Sequence, residues 1–110
     1  MLDILREAQR EFQEISTLLE SDLIRDRDYF ARLNEATQKA YVTMNEGMCA
    51  NTTVCHQCAE HRDFLYAILS LLEELAAGNS ITTAYEERLS AFSVKVSEIL
   101  NKISTVLASL

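Results

Sequence analysis

Through the first twenty positions the apolar residues Leu5, Ala8, Phe12, Ile15 and Leu19 recur at steps of three and four. That spacing lines them along one stripe of an α-helix. Asp3, Arg6, Glu7, Arg10, Glu11 and Glu14 fill the other positions as a solvated face, and the pattern predicts a helix over 2–21. The stripe loses phase over 21–28, where Asp22 and Asp26 occupy places that apolar residues would hold. A turn is expected there, with Asp26 or Asp28 accepting hydrogen bonds from the next turn's amides as an N-cap. Neither Gly nor Pro enforces the break, so a single helix over 2–46 is the alternative. Such a rod would exceed about 60 Å.

A second helix is predicted over 27–46 from Phe30, Leu33, Thr37, Ala40, Tyr41 and Met44, with Gly47 as its left-handed terminator. A loop holding Cys49 and the polar run Asn51, Thr52 and Thr53 follows, and Thr53 is placed to cap a third helix over 56–77. That helix carries Phe64, Leu65, Ile68, Leu69, Leu71, Leu72 and Leu75 and stops at Gly78. Its apolar residues run nearly all round, so it requires cover on more than one side. Thr83 followed by Glu86 matches a capping box that opens a fourth helix over 82–109. There Tyr85, Leu89, Phe92, Val96, Ile99, Ile103, Val106 and Leu110 keep the seven-residue repeat of a bundle seam. Being longer than the first two, this helix should overhang and leave Ile103, Val106, Leu107 and Leu110 exposed unless another chain covers them. The expectation is an all-α protein: a single-domain antiparallel four-helix bundle with a Cys/His loop between helices 2 and 3, self-associating as a homodimer through helices 3 and 4.

Composition agrees with this class. The chain has 110 residues, no Pro and two Gly beside 48% hydrophobic residues, which leaves little to punctuate a many-stranded fold. A formal net charge of −7 and no cluster of Lys and Arg argue against a nucleic-acid partner. The longest apolar stretch, from Phe64 to Leu72, falls short of the roughly 20 residues of a membrane span, so no membrane partner is expected. Without a basic then apolar leader at Met1, the expected location is cytoplasmic.

What changes the picture is the stretch from Cys49 to His61, which holds all three cysteines and both histidines. Its spacing, C-x5-C-x2-C-x2-H, supplies four ligands of the kind a closed tetrahedral zinc site uses. Cys49, Cys55, Cys58 and His61 are the candidate ligands, with His56 as the substitute for His61. Convergence on one ion is easiest when Cys55 precedes the third helix, Cys58 lies in its first turn and His61 one turn later. Cys58 and His61 also extend backwards the heptad register of Leu65, Ile68, Leu72 and Leu75, which turns both inward. A helix N-terminus favours thiolate over thiol. The plain alternative is that buried cysteine packs as a small hydrophobe and buried histidine as a hydrogen-bonded core residue. An odd number of cysteines fits pairwise disulfides poorly.

The order Cys49, Cys55, Cys58, His61 leading into a helix is locally similar to the cluster loop of winged-helix iron-sulfur regulators. That resemblance, confined to 49–61, implies an iron-sulfur cluster as the alternative cofactor. It brings no DNA binding with it, since the chain shows no winged-helix segment and no basic surface. Glu46 and Glu60 stand near the cysteines, but four protein ligands would close the metal, and no phosphate loop, nucleophile elbow or H-E-x-x-H motif is present, so no enzyme activity is expected. The expected function is that of a small zinc-binding helical bundle serving as a protein-protein interaction module or adaptor. The alternatives are a redox or iron-sulfur sensor built on the same residues, or an acidic secretion-type chaperone with incidental cysteines.

Overall fold

A computed structural model describes residues 2–46 and 58–109, with backbone alone for 2, 46 and 58–62. The described residues form four helices: α1 (Leu2–Glu20), α2 (Arg27–Glu46), α3 (Cys58–Ala76) and α4 (Thr83–Ser109). The described residues contain no strand.

The break after α1 is made by side chains rather than by Gly or Pro. The Leu18 carbonyl accepts from the Ser21 amide at 3.4 Å, the Ser21 hydroxyl at 2.8 Å and the Tyr29 hydroxyl at 2.7 Å. Carbonyls left over at a helix end need such partners, and three donors on one carbonyl stop the helix there. Asp26 then caps α2, its Oδ1 accepting from the Tyr29 amide at 2.9 Å. The single rod over 2–46 is therefore excluded. α3 ends in a Schellman arrangement, with the Gly78 amide donating to Leu75 at 3.1 Å and the Asn79 amide to Glu74 at 3.2 Å. Gly78 adopts φ +97°, which a residue with a Cβ rarely takes. At the start of α4 the cap is Thr82, whose Oγ1 accepts from the Tyr85 amide at 3.2 Å. A single N-cap bond from Thr82 thus replaces the capping box expected of Thr83 and Glu86, because Thr82 reaches the third amide of the helix.

All four helices contribute to one core. It takes Leu5, Ala8, Phe12, Ile15 and Leu18 from α1, and Tyr29, Phe30, Leu33, Ala36, Thr37, Ala40 and Met44 from α2. From α3 come Leu65, Ile68, Leu71, Leu72 and Leu75, and from α4 Leu89, Phe92, Val96, Ile99 and Ile103. The expected stripes match with small shifts: Leu18 rather than Leu19 closes the buried face of α1, and Tyr41 and Tyr85 are half-buried. Thr37 fits among apolar neighbours because its hydroxyl donates to the Leu33 carbonyl at 2.7 Å.

α2 packs most extensively on α3, α1 lies against both α2 and α4, and α3 with α4 touches least. Paired contacts run in opposite order along α1 and α2 and along α3 and α4. Leu18 meets Tyr29 while Glu11 meets Thr43; Gln9 meets Ser104; Tyr41 meets Tyr66; and Glu74 meets Tyr85 while Phe64 meets Phe92. One end of the molecule therefore holds the connections at 21–26 and 77–82. The other holds the start of α1, the end of α2, the start of α3 and the end of α4.

The apolar overhang expected of α4 is covered from within. Ile103 is 0% exposed, and Val106 and Leu107 are half-buried against the same core; Leu110 lies outside the described residues. Along α3, Leu65, Ile68, Leu71 and Leu72 are likewise covered by the chain's own helices. At these residues the apolar excess that suggested a second copy is met by intrachain packing. No described helix is long and apolar enough to cross a membrane.

Candidate functional site

Cys49, Cys55 and His56 lie outside the described residues, as do Gly47 and the expected cap Thr53. Cys58 and His61 are placed as backbone positions three residues apart at the start of α3. Leu65 and Ile68, one heptad further on, are 0% and 2% exposed. Glu46 and Glu60 are backbone positions at the end of α2 and the start of α3. Among the residues whose side chains are described, no group of three or more His, Cys, Asp or Glu is arranged to hold a metal ion.

A second chemical feature, which sequence spacing does not reveal, spans α1 and α2. The Thr43 hydroxyl lies 2.8 and 2.6 Å from the two carboxylate oxygens of Glu11 and donates to that carboxylate. Burial pushes the Glu11 pKa above its ordinary value; the Thr43 hydrogen bond opposes this, Glu7 adds to it, and Lys39 and Arg10 lower it. The surrounding open groove is lined by Glu7, Glu35, Gln38, Lys39 and Val42. The pair links α1 to α2.

The tyrosines divide by partner. Tyr29 is buried, and that burial raises its pKa although Arg25 acts in the opposite direction. Its hydroxyl donates to the α1 terminus described above. Tyr85 donates to the Glu74 carboxylate at 2.9 Å, and this anionic acceptor raises the phenol's pKa. Tyr41 and Tyr66 place their rings 6.2 Å apart across α2 and α3, with Tyr66 largely exposed. None of these hydroxyls is grouped with a base and a nucleophile in the way catalysis requires.

On α4, every basic residue falls on one heptad position: Arg88, Lys95 and Lys102. Arg88 donates to the Ala67 carboxamide oxygen of the α3 backbone at 3.2 Å, and the Lys95 ammonium sits 5.5 Å from the Phe64 ring centroid. The signal was present in the sequence as a seven-residue spacing of like charges. No protein-family model matches the chain, and comparisons with curated proteins and with solved structures return no significant similarity.

Proposed function

We propose that this protein is an antiparallel four-helix bundle whose α2–α3 connection is fastened by zinc and which acts as a protein-protein interaction module. Cys49, Cys55, Cys58 and His61 would supply a closed tetrahedral set, a structural site with no open position for catalysis. The supporting observation is the register of α3: Cys58 and His61 stand one heptad before Leu65 and Ile68, both buried. A histidine and a thiol in the heptad register of a buried stripe, near a helix N-terminus that favours thiolate, are the residue types a metal would take. The long-range order of contacts between neighbouring helices supports the antiparallel reading. Self-pairing through α3 and α4 is one form of the interaction reading: Ile103 is covered within the chain, while Val106 and Leu107 are half-buried.

Elemental analysis of protein purified anaerobically under reducing conditions tests the metal. About one zinc per chain is expected, lost in Cys58→Ser. Less than about a tenth of an equivalent in the unaltered protein overturns the reading. Visible absorbance with bound iron would replace it by the cluster-based sensor. Comparing His61→Ala with His56→Ala then assigns the fourth ligand.

A further inference from the structure

Between α3 and α4, the neighbouring helices that pack least, runs a groove of about 150 Å³ lined by Phe64, Ala67, Ile68, Arg88 and Ala91. Ala67 and Ala91 are exposed, one on each bank, and Phe64 is half-buried between them. Small side chains on both banks let the backbone of another helix come close, and the ring offers it an apolar floor.

The same side of α4 carries Arg88, Lys95 and Lys102 at seven-residue intervals. A straight helix places the first and last of these about 21 Å apart, the reach of four turns. The chain has only ten basic residues and a formal net charge of −7, so a row of three beside an apolar groove is a departure from its general surface. Glu98 pairs with Lys95 at 3.2 Å, and Asp63 and Glu87 are exposed on α3 and α4. These acids moderate the row without filling the groove.

We propose that the α3–α4 groove is a docking site for an acidic amphipathic helix of a partner protein. Such a helix lays apolar residues on Ala67, Ala91 and the accessible edge of Phe64 and carboxylates along the basic row, the helix-in-groove mode of recognition. A second copy of this chain is the poorer occupant. Each of its four helices already commits its apolar stripe to its own core, which leaves none among the described residues with a free apolar face. Phosphate-bearing surfaces are disfavoured by the chain's negative charge. The proposal rests on the interaction-module reading but not on the metal.

Two synthetic helical peptides of about 20 residues, with leucines at the a and d positions, test it on the full chain. One carries Glu at the flanking e and g positions and the other Lys. Backbone amide NMR shifts should map binding of the Glu peptide to Ala67 and Ala91, with at least about tenfold weaker binding of the Lys peptide and weakening by salt. Ala91→Glu, on an exposed site, should lower affinity by about tenfold or more with helical content unchanged, and Arg88→Gln should reduce the salt dependence. Equal binding of both peptides, no binding, or shifts mapping elsewhere overturns the proposal. So does a homodimer that protects the same amides without peptide. Measuring zinc content of the titrated protein separates the two ideas: docking by protein that carries no zinc counts against the zinc site alone, and bound zinc without docking counts against the groove.

Discussion

The two ends of the molecule are held by different kinds of interaction. At the end carrying the connections at 21–26 and 77–82, hydrogen bonds close every helix terminus: Leu18 accepts from Ser21 and Tyr29, Asp26 and Thr82 cap, and Gly78 supplies the left-handed turn. Leu23, Ile24 and Ile81 of these connections remain exposed, while Leu18, Tyr29, Phe30, Leu75 and Leu89 of the adjoining helices are buried. Toward the opposite end, Leu5, Met44 and Ile103 are almost wholly buried, and the Cys/His stretch joins α2 to α3. Local chemistry terminates helices at the first end, whereas packing between distant segments dominates the described part of the second.

The largest expected effect tests that packing directly. Ile103→Ala should cost about 2–5 kcal/mol in urea denaturation, as buried aliphatic truncations do. Ile24→Ala, at an 82% exposed site of the other end, should stay within about 0.5 kcal/mol. Similar costs at both sites would erase the contrast and mean that Ile103 lacks intrachain cover. Next in size is Gly78→Ala. A Cβ there would meet the Arg27 Cδ at 2.9 Å, and the positive φ is strained for any L side chain. A loss of roughly 1–2 kcal/mol is expected, and no measurable change would show that the α3 terminus tolerates another conformation.

The smallest effect concerns Glu11. Its pKa is raised above the ordinary 4.5 chiefly by burial, so ionising it is harder in the folded chain than in the unfolded one. The stability tied to its protonated form is complete below the ordinary value and is lost as pH rises through the raised one. Glu11→Gln should flatten that segment of the stability-pH curve while retaining a partner for Thr43. An unchanged slope in denaturation midpoints across this window would place the titration elsewhere.

Much of the helical framework was legible beforehand because the three-four spacing of apolar residues reports which face each helix buries. Asp26 and Gly78 were legible as well, since a cap and a left-handed terminator depend on nearby backbone. Thr82 and Thr83 were not separable by type: either hydroxyl can cap, and the choice depends on where the chain enters α4. Leu18 was passed over for Leu19 for a related reason, as the final turn of α1 is oriented by its neighbours α2 and α4. Of the candidate site, residue type and spacing were legible in Cys49, Cys55, Cys58 and His61, while the described residues add only the helical positions of the last two.

The sequence alone determined the all-helical class, the approximate limits of the described helices, their buried stripes and the concentration of thiol and imidazole between positions 49 and 61. Those properties follow from periodicity and from side chains acting on backbone a few residues away. Tertiary structure decided that α4 needs no second copy to cover Ile103, that Glu11 is held by Thr43, and that Arg88 and Lys95 border an apolar groove. Each of these depends on segments far apart in the chain coming into contact, and no local spacing contains that information.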